Sequence, residues 1–178
     1  KECDILVENF KVGGLAKYGL DYASLQTINP QLIYCSISGF GQTGPLKDEP
    51  GYDAMIQAMG GLMSITGQQD EKGGEPTKVG VAVADLMTGM YASNAILAAI
   101  IHRNKTGEGQ HIDVSLFDCQ LAMLANQGMN VLAGDDSIGR LGNAHPNIVP
   151  YQTFETSDGH VMIAVGNDAQ FKKLCISV

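Results

Sequence analysis

Apolar and polar positions fall into blocks whose periods change along the chain. Ile5-Leu6-Val7 and Leu32-Ile33-Tyr34-Cys35-Ser36-Ile37 are short apolar runs, as in strands of a sheet covered on both faces. Between them Asp21 precedes a helical stretch that directs Leu25 and Ile28 inward, so the first unit reads strand, helix, strand. After the turn-rich Gly39-Phe40-Gly41-Gln42-Thr43-Gly44-Pro45, the recurrence of Met55, Ala58, Met59 and Leu62 predicts a helix over 52–62 with that stripe in the core. Residues 67–80 are polar and glycine-rich without phosphate-loop spacing, which predicts a solvated loop. A long helix then opens at Asp85, buries Leu86, Met90, Leu97, Ile100 and Ile101, and ends with His102, Arg103 and Lys105 before Gly107. Those basic groups suit the negative end of a helix, so His102 reads as a helix-end cation.

Residues 112–116 alternate as a strand, and 117–132 resume helical spacing through Leu121, Leu124 and Met129. Further on, 151–156 and 160–165 flank Ser157-Asp158-Gly159, a β-hairpin signal. The expected fold is α/β: an incomplete Rossmann-like open parallel sheet with helices, followed by a linker and the start of a small α+β domain. The expected division is a partial large domain over 1–133, a linker and active-site loop over 134–147, and a small domain beginning at 148, with the change of architecture near residue 140.

At 178 residues and 44% hydrophobic content the chain is globular rather than disordered. A net charge of −8, with no basic run, argues against nucleic acid as a partner. Cys3, Cys35, Cys119 and Cys175 are scattered with neither paired nor zinc-ligand spacing, so no metal site or disulfide framework is expected and a reducing cytoplasm fits. The longest apolar stretch, 95–101, is too short for a bilayer, and no leader pattern precedes it, so no membrane partner is expected. The run that opens at Lys1 enters a strand almost at once, like an excerpt of a longer chain.

The leading candidate for chemistry is Asp85, in Gly80-Val81-Ala82-Val83-Ala84-Asp85. Small and β-branched residues suit a tight, buried approach to a helix start, where backbone N–H groups favour an ionised carboxylate. The plain structural alternative is an N-cap.

Five segments in order resemble the class III CoA-transferase family, which includes carnitine, bile-acid and formyl-CoA transferases and the α-methylacyl-CoA racemases. They are Asp4-Ile5-Leu6-Val7-Glu8-Asn9-Phe10, residues 29–34 with 39–45, Gly51-Tyr52-Asp53, Asp85 with Thr88-Gly89-Met90, and residues 105–110. The resemblance runs to about Leu174 and covers less than half of a family chain; the opening of the nucleotide-fold domain and the C-terminal return to it have no counterpart here.

The resemblance implies that Asp85 is a nucleophile that attacks an acyl-CoA thioester to give a mixed anhydride, then an aspartyl-CoA thioester that an incoming carboxylate reverses. Coenzyme A is then a substrate, with no permanently bound cofactor, and the partners are acyl-CoA and a small carboxylic acid. Water would destroy such intermediates, so Asp85 is expected in a dry pocket. Backbone N–H donors must hold each oxyanion; one such donor is worth about 3 kcal/mol in other acyl-transfer enzymes. The segment Arg140-Leu141-Gly142-Asn143-Ala144-His145-Pro146 is similar in place to the family's glycine-rich loop but keeps only Gly142, and His145 reads equally well as a pre-proline turn residue.

Tyr52 stands where the racemases carry His. A phenol, with a reference pKa of about 10, is poorly matched to moving an α-proton at neutral pH, which favours transfer over racemisation; the alternative is a tyrosine plugging the core. Asn9 and Phe10 are implied to contact CoA, with Lys17 as a point charge for a phosphate and Lys11 and Lys47 as further candidates. The segment 148–154 is similar to members acting on dicarboxylates. The alternatives in function are a racemase-like isomerase and a noncatalytic fragment that oligomerises or binds CoA weakly. Family members form homodimers, so a homodimer is expected.

Overall fold

The computed structural model describes residues 3–135 and 138–177. Lys1 and Glu2 of the opening run, Asp136 and Ser137 of the expected linker, and Val178 lie outside the described residues. The described chain forms two compact units, one of residues 1–62 with 78–125 and one of 63–77 with 126–178.

In the first unit β1 (Ile5–Glu8), β2 (Ile33–Ser38) and β3 (His111–Ser115) form a parallel sheet in that order. Ile5 pairs with Ile33, and Tyr34 with His111. The α/β architecture and the parallel sheet expected from the apolar runs are present. Helix α1 (Tyr22–Ile28) starts as expected at Asp21, whose Oδ2 accepts the Ser24 N–H at 3.3 Å and whose Oδ1 accepts the Ser24 hydroxyl at 2.6 Å. Ile28, expected inward, is exposed.

The expected helix over 52–62 is interrupted. Helix α2 (Asp53–Met59) ends at Gly60, and α3 (Leu62–Ile65) follows. The buried residues of α2 are Ile56 and Gln57, while Met59 is exposed, so the helix is rotated from the expected stripe.

Helix α4 (Val83–Thr106) is the longest element and packs on β2, β3, α2 and α5 (Leu116–Ala122). It buries Ala84, Thr88, Ala92 and Ala99, whereas Leu86, Met90, Leu97 and Ile101 are 58–61% exposed. Of the expected apolar stripe only Ile100 is partly covered. Small side chains let the helix axis approach the sheet: Ala92 meets Cys35, Val114 and Cys119 in one cluster, and Ala84 meets Ile56 and Leu116 in another. At 24 residues α4 is long and apolar enough to cross a bilayer by length and composition alone, and in this unit it packs on the sheet. It ends as expected, with Arg103 and Lys105 in the last turn and the Gly107 N–H donating to the Arg103 carbonyl at 2.7 Å.

In the second unit β4 (Tyr151–Thr156) and β5 (Gly159–Ala164) make the expected antiparallel hairpin, Thr156 opposite Gly159. The expected helix over 117–132 divides into α5 and α6 (Ala125–Leu132), with Ala125 at φ 48° at the break. Helix α7 (Asp168–Ser177) follows the hairpin. The expected solvated loop over 67–80 contains a 3₁₀ turn, Asp70–Lys72, and its part up to Thr77 belongs to this unit.

The N-terminus of α4 is satisfied from outside itself. Ala82 caps it without a side-chain bond, and Asp53 Oδ1 accepts the Ala84 N–H at 2.9 Å. Asp53 Oδ2 accepts from Gln57 Nε2 at 2.8 Å, and Gln57 Oε1 accepts the Val79 N–H at 2.8 Å. Asp53→Ala leaves two buried donors without an acceptor and is expected to cost about 2 kcal/mol, against about 1 kcal/mol for Asp53→Asn, which keeps an oxygen for Ala84. Urea unfolding of the two variants checks the order.

Candidate functional site

The parallel strands of the first unit place their C-terminal ends, the start of α4 and the loop 47–51 around one cavity of about 850 Å3. Open α/β sheets place ligands at such strand ends. Its walls include Val7, Glu8, Asn9, Phe10 and Lys11 after β1, Ser38 and Gly39 at the end of β2, and Lys47, Asp85 and Thr88. The turn after β1 is fixed by the Phe10 N–H donating to Glu8 Oε2 at 2.8 Å. The loop 47–51 is held against β2 by a glycine contact: a Cβ on Gly39 would lie 2.7 Å from the Gly51 Cα, so neither position has room for a side chain.

Asp85 is the third residue of α4, in its first turn, and is not the N-cap. That turn carries the partial positive charge of the helix start. Its side chain is exposed as well as lining the cavity, so the dry, shielded pocket expected from the sequence is not formed by these residues; of the approach to the helix only Ala84 is buried. Desolvation by its surroundings still pushes the Asp85 carboxyl above the ordinary aspartate range, and the negative charge of Asp53 adds to the shift. Behind it Thr88 is fully buried and donates its hydroxyl to the Ala84 carbonyl at 2.7 Å.

The other sequence candidates divide. Asn9, Phe10, Lys11 and Lys47 line the cavity with Asp85. Tyr52 does not line it; it is the N-cap residue of α2 and 72% exposed, so it does not plug the core either. Lys17 lies outside the cavity lining, its Nζ 4.9 Å from the centre of the Tyr18 ring. Gly142 and His145 belong to the second unit. His145 Nδ1 accepts the Asn147 N–H at 3.0 Å, the backbone N–H of His145 donates to the Tyr151 carbonyl at 2.9 Å, and the imidazole lies 5.3 Å from the Tyr151 ring, centre to centre. These are the contacts of a turn residue.

Sequence reasoning assigned no role to Asp53, which both caps α4 and raises the Asp85 carboxyl. The available signal was an acid opening a helix four residues before a buried glutamine position, but its partner lies 31 residues away. Thr88 and Ser38 carried no comparable signal.

A parallel α/β unit with a carboxylate in the first turn of a helix and a cavity at the strand ends has the layout of the open α/β class of folds. Within that class the chain belongs to CoA-transferase family III, whose family model matches residues 1–178. It is 59% identical over 175 residues to a succinate–glutarate CoA-transferase of Agrobacterium fabrum, covering 98% of this chain and 43% of that protein. It is 46% identical over 173 residues to the succinyl-CoA:glutarate CoA-transferase of Homo sapiens, covering 97% of this chain and 39% of that one. A crystal structure of a CAIB/BAIF family protein from Brucella suis superposes with a TM-score of 0.82 at 60% identity, over 99% of this chain and 46% of that chain. The chain therefore spans less than half the length of these relatives.

Lys11 and Lys47 are exposed, so each contributes a screened charge rather than a buried ion pair. Lys11→Met and Lys47→Met each remove one positive charge from the cavity wall, so the affinity of an anionic probe such as pyrophosphate is expected to fall about two- to fivefold for each. Calorimetric titration checks this, and the loss should shrink as salt is raised.

Proposed function

We propose that this chain is the nucleophile-bearing part of a CoA-transferase that moves CoA between small carboxylic acids, with dicarboxylates as the substrate class. The observation that carries the reading is Asp85, at a helix start, lining one cavity with Asn9, Phe10, Lys11 and Lys47. The names of the relatives, which include succinate–glutarate and acetyl-CoA:oxalate CoA-transferases, support the class of acid.

In this reading a carboxylate oxygen of Asp85 attacks the thioester carbonyl carbon. The C–S bond breaks, its electron pair leaves on the CoA thiolate, and an aspartyl mixed anhydride remains. The thiolate then attacks the aspartyl carbonyl and releases the first acid as its carboxylate, leaving an aspartyl-CoA thioester. An incoming carboxylate reverses both steps, so no ATP is consumed. Asn9 and Phe10 position the pantetheine, and Lys11 and Lys47 offset phosphate charge. The partial positive charge of the helix start opposes the rise that desolvation and Asp53 impose on the Asp85 carboxyl. Residues 1–133 supply part of the large CoA-binding domain and 148–178 begin the small one. The assembly is a cytoplasmic homodimer, and the water exclusion that these residues do not provide by themselves comes from the rest of that assembly.

Incubation with succinyl-CoA followed by hydroxylamine is expected to place a hydroxamate on Asp85, read by peptide mass spectrometry and absent in Asp85→Asn. A folded, unmodified chain overturns the proposal. Because the attacking species is the carboxylate and its pKa is raised, trapping should fade on acidification at a pH above that of an ordinary aspartate. Solvent deuterium incorporated at the α-carbon of a 2-methylacyl-CoA, without acid-dependent transfer, would instead establish the isomerase reading.

A further inference from the structure

The second unit contains a cavity of its own, about 450 Å3, whose walls come from separate pieces of chain. The loop 66–72, which carries Lys72, contributes one part of the lining, residues 141–144 another, and Gln152 and Thr153 of β4 the rest. The first two parts are built differently. The loop is braced by its own backbone: the Thr77 N–H donates to the Thr66 carbonyl at 3.1 Å, and the Gly73 and Gly74 N–H groups donate to the carbonyls of Asp70 at 2.9 Å and Gln69 at 3.0 Å. The segment 140–145 is tied mainly at its ends. The backbone N–H of His145 fastens one end to the Tyr151 carbonyl of β4, and Arg140 pairs the other end with Asp70. Between the ends, the Gly142 N–H donates to the Gly67 carbonyl at 3.0 Å.

The Arg140 end carries a constraint that the His145 end lacks. The Arg140 side chain is 10% exposed, against 72% for Asp70, and its Nε is buried with no hydrogen-bond partner among the described residues. Its stem lies over Gly67, where a Cβ would meet Arg140 Cδ at 3.1 Å. A guanidinium so far removed from water needs a counter-charge, and Asp70 is its one ion-pair partner among the described residues. Without that charge the position of Arg140 over Gly67 is unfavourable, and the side chain moves out to water, drawing residues 141–144 with it. We propose that the Arg140–Asp70 pair is a latch on this cavity. While it is closed, residues 141–144 lie against the loop 66–72; once it is released, they swing about His145 and the cavity opens, while the loop and the hairpin keep their own bonds.

Amide hydrogen exchange of the 178-residue chain, read by NMR, tests the latch. Asp70→Asn keeps the size of the side chain and removes its charge, and it is expected to speed exchange at Gly142 and Ala144 about tenfold while the amides of β4 and β5 stay as slow as before. In an Arg140→Gln background, where no buried charge needs a partner, Asp70→Asn should add nothing. Raising the salt concentration, which screens the exposed Asp70, should speed exchange at Gly142 in the unaltered chain and not in Asp70→Asn. Gly142 exchange that is unchanged in Asp70→Asn overturns the proposal. So does an acceleration shared equally by β4 and β5, which marks a general loss of stability, or an equal effect of Asp70→Asn in the Arg140→Gln background.

Discussion

The bond from the Ala84 N–H to Asp53 Oδ1 governs the first unit. A helix start leaves backbone donors without partners, and α4 supplies no capping side chain of its own. Asp53 provides the acceptor from another helix and through its second oxygen engages Gln57, which in turn holds the Val79 N–H in the approach to α4. One carboxylate, in the first turn of α2, thus fixes where α4 begins and how the segment leading to it is held. The same charge lies close enough to Asp85 to raise its carboxyl, so the scaffold and the candidate nucleophile share an electrostatic environment.

Close packing of α4 follows from its small face. Ala84, Ala92 and Ala99 let the helix lie against the sheet, and the position of Asp85 over the strand ends is a consequence of that approach. Larger residues on that face would lift the helix and move Asp85 away from Asn9 and Phe10. The Gly39–Gly51 contact acts similarly on the opposite wall, where the absence of two side chains brings the loop 47–51 to the end of β2. The cavity is therefore built by small residues, while the groups that could act on a ligand are polar residues at element ends.

The second unit organises polar groups in another way. Its hairpin and turn residues are tied by short-range bonds, such as Thr156 Oγ1 to Asp158 Oδ1 at 3.0 Å and Asn126 Nδ2 to Asn147 Oδ1 at 2.8 Å. The pairing of Asp70 with Arg140 joins the loop 66–72 to the segment that carries Gly142, and the cavity with Lys72 lies between those two pieces of chain.

The sequence alone determined the elements whose signals are local. The parallel strands came from apolar runs and one alternating segment, α1 from Asp21, the end of α4 from Gly107, the hairpin from Ser157-Asp158-Gly159, and the family from ordered short segments. It also brought Asp85 forward from its helix start, Asn9 and Phe10 from the end of the first strand together with the family resemblance, and Lys11 and Lys47 as charges for a phosphate. Tertiary structure decided which face of α4 is buried. Leu86, Met90, Leu97 and Ile101 recur with the same helical period as Ala84, Thr88, Ala92 and Ala99, so periodicity cannot rank the two stripes; the closeness of the sheet chooses the smaller one. It likewise decided that Asp53 caps α4, because a bond between residues 31 apart has no local signature, and that Tyr52 and Lys17 stand outside the cavity that holds Asp85.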